Sequence, residues 1–199
     1  MAKRTFRQRA KIEFRPDKHE LTWVKSLYMT RQQRLKLLKW TLYTVICLLL
    51  LVVQDVVMSR FSIFGTTTDL AACVILLITI LEGSETGSLF VLIASLLYFF
   101  SGSAPGAFCI ASLSFLGIFT ALLRQMYWRR NAASIILCAG AALMVHELVC
   151  FTAGIAMGFT IFSRLGLFAI KGLLSWLVML PLYPLVYTIG KIGGQTWKE

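Results

Sequence analysis

His146 and Glu147 stand side by side inside an otherwise apolar stretch, residues 132–159. A zinc-protease helix begins with that pair and carries a second His four residues after the first, with the Glu as general base. Here position 150 is Cys, so HELVC lacks the second His and no H-E-x-x-H site exists. The chain has two histidines in all, which cannot supply a metal cage by themselves. The five cysteines (Cys47, Cys73, Cys109, Cys138, Cys150) stand singly inside apolar runs, with no C-x-x-C and no metal-ligand spacing. They read as small buried apolar residues without a disulfide framework. Ser101 and Ser103 lie between glycines, but no positioned His base accompanies them. Glu82 and Glu85 fall in the Gly-rich turn EGSETGS and read as solvated loop residues. The expectation is a protein that is not an enzyme and has no metal or cofactor.

What remains is a set of polar residues at places where polarity is costly. The chain is 58% apolar with a mean hydropathy of +0.76, and 15% of its residues are charged. That composition indicates an all-α, multi-pass helical membrane protein; the apolar runs are too long and continuous for barrel strands. Spans are expected at 38–58, 69–81, 89–100, 107–123, 132–159 and 165–189. That makes six transmembrane helices, or five if the 12-residue third run stays out of the bilayer. Residues 1–37 are expected to form a basic cytoplasmic N-terminal segment, either flexible or a membrane-surface helix, and residues 193–199 a short cytoplasmic tail. Residues 38–192 make one transmembrane domain.

The net charge of +11 is unevenly placed. Residues 1–40 hold 12 of the 20 Lys and Arg. Because this basic part abuts an apolar run, it points to a topology signal or to anionic lipid headgroups and not to nucleic acid. Six spans with a cytoplasmic N-terminus place 17 of the 20 basic residues inside and leave Arg60, Arg164 and Lys171 outside, in the sense expected of a plasma-membrane protein.

This orientation puts Gln54, Asp69, Glu147 and Lys171 in the outer half of the bilayer. Glu147 lies 15 residues beyond Ala132, a rise of about 22 Å. A carboxylate at such depth costs roughly 3 kcal/mol on insertion scales and persists by facing protein or pairing. A polar network is expected there, with Glu147 paired to Lys171, Gln54 or Arg60, and Asp69 favouring its own helix N-terminus. Ala133, Gly140, Glu147 and Gly154 recur every seven residues, with Gly158 four further on, and make a small-residue stripe suited to close helix approach. Of the G-x-x-x-G pairs, only Gly154/Gly158 lies within an expected span.

The order of these features resembles the bacterial rod shape-determining protein MreD family. The shared features are Gln54 late in the first span, Gly65, and Asp69-Leu70 opening the second. They continue through a Gly-containing turn (Gly83, Gly87), Ser101-Gly102 with Gly106, and the basic loop (Arg124, Arg129, Arg130). Glu147 in the penultimate span and the closing Leu180 to Leu185 run, LPLYPL, complete the set. Tyr98 stands where that family often carries an acidic residue, and the basic lead is longer than usual. The resemblance implies a fold similar to the substrate-binding subunits of energy-coupling-factor transporters. It also implies a non-catalytic scaffold role in the cell-elongation machinery that builds lateral peptidoglycan in the bacterial inner membrane. The implied partner is an MreC-like membrane protein, with peptidoglycan synthases and MreB filaments reached indirectly. The competing expectation is the substrate-binding subunit of such a vitamin transporter, which requires an outward pocket of several hundred cubic ångströms.

Overall fold

A computed structural model describes residues 31–58, 60, 65–104, 106–127 and 131–192. Within them the chain is helical and contains no strand. Helix α1 spans Arg31–Val53 and widens into a π-helical turn at Gln54–Met58. The expected boundary at residue 38 falls inside it, because RQQRLKLLK consists of strong helix formers that extend the apolar run. Residues 1–30 and 193–199, Trp128, Arg129 and Arg130 lie outside the described residues.

Helix α2, Leu70–Glu82, is short and apolar all round, and α3 follows at once as Ser84–Phe100. Gly83 sits between them at φ 85°, a left-handed conformation that Gly adopts without Cβ strain. Gly87, one turn into α3, comes so close to α2 that a Cβ there would meet the Thr79 carbonyl oxygen at 2.5 Å. The reversal therefore depends on both glycines. Gly87 is a packing glycine although its G-x-x-x-G pair lies at the edge of the expected third span.

Helix α4 is Phe108–Tyr127 and α5 is Ala132–Ala156. A 3-10 turn at Phe162–Arg164 leads into α6, Leu165–Gly190, which contains Pro181 and Pro184. Sequential helices pack as neighbours from α3 to α6, α1 packs on α6, and all five border α2. Helix α2 is thus the axle of the bundle, and Ala71 to Ile78 are wholly buried. A helix apolar all round is one that is buried all round.

Among the described residues, four helical stretches are long and apolar enough to cross a membrane: Arg31–Met58, Phe108–Met126, Ala132–Ala156 and Phe162–Gly190. The other two are shorter. The 13 residues of α2 rise about 20 Å, well short of a hydrocarbon core of about 30 Å. The outward faces of the long helices are apolar, as at Leu49, Val52, Phe115, Leu148 and Leu177. Such surfaces are compatible with a membrane-embedded protein and unusual for one in water.

Candidate functional site

A helix leaves four N–H groups and four carbonyls without intrahelical partners at its ends. Helix α2 ends inside the bundle, so other helices must satisfy them. Its N-terminus is capped by Asp69, whose Oδ1 accepts from the Ala72 N–H at 3.1 Å. The Gln54 side chain, presented by the π-helical end of α1, accepts the Ala71 N–H at 2.8 Å. The Asp69 N–H donates to Ser175 Oγ of α6 at 2.8 Å. Three residues from three parts of the chain therefore close one buried helix end.

The second oxygen of Asp69 is also used. Tyr98 of α3 donates its hydroxyl to Asp69 Oδ2 at 2.5 Å, and Lys171 Nζ of α6 lies 3.8 Å from the same atom. Lys171 Nζ is 2.8 Å from Glu147 Oε1 of α5. Asp69 and Glu147 are 1% and 2% exposed, so their charges face protein and not lipid. Of the three partners expected for Glu147, the ion pair goes to Lys171, whereas Gln54 is occupied at α2. Tyr98 supplies a hydroxyl at this point. It thereby donates to Asp69 where a carboxylate would repel it.

The opposite end of α2 is closed in the same way. Arg124 of α4 donates to the Ile80 carbonyl. Glu82 corrects the solvated-loop expectation: it is 2% exposed, with Lys39 Nζ at 2.6 Å and the Tyr43 hydroxyl donating at 2.9 Å. Lys39 is counted with the 12 basic residues of 1–40 but falls in the expected span 38–58, and it is buried in the third turn of α1. The signal was the isolation of one Lys beside the interfacial Trp40, which composition counts merge with the exposed basic residues.

The small-residue stripe on α5 is corrected in its ends and in its occupant. Ala133 is exposed, and Gly158 lies beyond α5 at φ 74°. At Gly154 a Cβ would meet Thr160 Cγ2 at 3.0 Å, a contact with the following turn. Gly140 does admit a neighbour, the Trp176 indole of α6, which donates Nε1–H to the Ile136 carbonyl at 3.2 Å. The groove is filled from within the chain. Gly172 of α6 makes the reciprocal approach, since a Cβ there would meet Met144 Sδ at 2.5 Å and Glu147 Cγ at 3.8 Å.

All five cysteines are buried and free, as expected, but two of them meet. Cys109 in the first turn of α4 faces Cys150 of α5, with Sγ–Sγ 3.5 Å. His146 Nε2 is 3.6 Å from Cys150 Sγ. These two α5 residues are four apart and share a face. In HELVC the residue standing where the second His would be, Cys150, is itself a metal-ligand type.

Beside this cluster a pocket of about 430 Å³ opens at the Asp69 end of the bundle. Thr67, Ser103, Cys150, Thr160, Arg164 and Lys171 line part of it. A second cavity of about 490 Å³ lies between α1 and α3, apolar and bordered by Trp40, Cys47, Leu89, Ile93 and Leu97, with Glu85 at its edge.

Fold and site define a helical, membrane-compatible bundle whose buried ion pairs cap a central helix. No family model, curated protein or solved structure matches the chain.

Proposed function

We propose that this protein is a non-catalytic scaffold subunit of the bacterial cell-elongation machinery, of the MreD kind, acting through an MreC-like membrane partner. One observation carries the reading. Gln54, Asp69 and Glu147, three of the residues on which the family resemblance rests, spend their polar groups on other helices of the same bundle. Residues used in this way make a rigid body, which a scaffold requires.

In this reading the chain traverses the bilayer six times, the short α2 doing so inside the bundle where its neighbours shield its ends from lipid, in a fold like that of energy-coupling-factor substrate subunits. The N-terminus is cytoplasmic and the Asp69 end faces outward. The surface for a partner is the apolar groove between α1 and α3, because the stripe on α5 is already filled by Trp176. A single transmembrane helix suits that groove, and the exposed Glu85 at its mouth suits a basic juxtamembrane residue on such a helix.

Depletion in a rod-shaped host tests the function. Rounding of the cells with loss of MreC association is expected. Normal shape would refute the reading. A large residue in the groove, Ile93→Trp, should release MreC while leaving the purified protein's melting temperature within a few degrees of the parent's.

The pocket of about 430 Å³ favours a second reading, a substrate-binding transporter subunit, since Arg164 and Lys171 would face an anionic solute there. Impaired uptake of a vitamin on depletion, with cell shape unchanged, would select it over the scaffold.

A further inference from the structure

We infer that Cys109, His146 and Cys150 form a site for one thiophilic divalent cation, Zn²⁺, which joins α4 to α5 beside the pocket. The inference goes beyond the scaffold reading and does not depend on it. The three ligand atoms lie within 4.8 Å of one another, and all three residues are buried. Zinc–sulfur bonds of about 2.3 Å and zinc–nitrogen bonds of about 2.1 Å at tetrahedral angles put two sulfurs about 3.8 Å apart and sulfur and nitrogen about 3.6 Å apart. The observed separations are 3.5 Å for Cys109 Sγ to Cys150 Sγ and 3.6 Å for Cys150 Sγ to His146 Nε2. Small side-chain adjustments therefore suffice to receive the ion.

The surroundings of the histidine provide for the form a ligand needs. Ser112 Oγ lies 2.8 Å from His146 Nδ1 and donates its hydrogen to the Cys109 carbonyl at 3.3 Å. A hydroxyl has one hydrogen, so towards the imidazole Ser112 acts as acceptor. With the Ser112 hydrogen on the Cys109 carbonyl, the ring proton sits on Nδ1 and the Nε2 lone pair faces the sulfurs. Metal-bound histidines characteristically donate their other ring nitrogen in this way, which fixes the tautomer and the ring orientation. Ser112 comes from the same helix as Cys109, so one turn of α4 supplies both a ligand and the group that orients another.

Charge selects the ion. Zn²⁺ with two thiolates and one neutral imidazole has no net charge, whereas Cu⁺ on the same ligands leaves a negative charge in a site that disfavours one. Binding releases the two thiol protons to solvent and involves no change of oxidation state. Cys150 also lines the pocket, which gives the ion an entry path and water a place as fourth ligand.

The test uses the full chain purified in detergent, reduced and stripped of metal, then titrated with Zn²⁺ against a chromophoric chelator and separately with Co²⁺. One zinc per chain is expected, with about two protons released per ion and a thiolate-to-cobalt charge-transfer band. Cys109→Ser combined with Cys150→Ser should abolish both signals. Replacing Cys47, Cys73 and Cys138 with Ala should preserve them. Ser112→Ala should weaken zinc binding by about tenfold to a hundredfold. The unmodified protein keeps the test decisive if the double variant does not fold. Absence of the charge-transfer band in it, or a Cys109–Cys150 disulfide in the native protein with no ion taken up after reduction, would overturn the site.

Discussion

Lys171 Nζ lies 2.8 Å from Glu147 and 3.8 Å from Asp69, so one ammonium group serves two buried carboxylates from different parts of the fold. Removing one partner of a buried ion pair costs about 3–5 kcal/mol, because the other is left uncompensated. Lys171→Met should therefore destabilise the bundle by roughly that amount, read as detergent-phase thermal unfolding. Glu147→Gln leaves the Asp69–Lys171 pair and should cost less than half as much. Equal losses for the two variants would contradict the shared-cation arrangement.

Tyr98 holds the end of α3 to the cap of α2 through one hydroxyl. Hydrogen bonds to charged groups contribute about 1.5–3 kcal/mol. Tyr98→Phe should lose about that much stability with little change in packing, because the ring stays. Tyr98→Glu should lose more, since it would place a second carboxylate against Asp69. A Glu variant as stable as the parent would show that a carboxyl group can replace the hydroxyl here.

At the other end of α2, Glu82 is held by Lys39 and Tyr43. A double-mutant cycle of Lys39→Met and Glu82→Gln should give a coupling energy of at least about 1 kcal/mol, within the range for residues in contact. The cycle would give nearly zero if Glu82 were solvated, as its Gly-rich surroundings suggest.

Gly140 admits the Trp176 indole, which leaves no room for a methyl group. Gly140→Ala should cost about 1–3 kcal/mol, the usual range for overpacking. Trp176→Leu in the same chain should recover part of that loss, although it also gives up the Nε1–H bond to Ile136. No recovery would show that the helices separate at that point instead of repacking.

Much of the site was visible as residue types. Asp69, Glu147 and Lys171 stand out because each is charged within or beside an apolar run, and hydropathy alone places them at costly depth. Glu82 was hidden because a Gly-rich, doubly acidic turn looks solvated; its burial follows from the direct α2–α3 reversal at Gly83, which draws the turn back into the bundle. The Cys109–His146–Cys150 group was hidden for a different reason. Its ligands come from two helices, and sequence spacing reports only the pair within α5.

The membrane-compatible helical class, the segment order and the list of polar residues needing partners follow from composition and periodicity, because hydropathy and helical repeat are properties of each segment alone. Which partner each residue takes depends on the rotation and axial offset between helices, and no single-segment period encodes those. Helix α2 makes the difference plain. Its apolar length reads as a short span, but only tertiary packing makes it the buried axle whose ends require Gln54, Asp69 and Arg124. Those caps are necessary because backbone groups inside a bundle have no water to turn to.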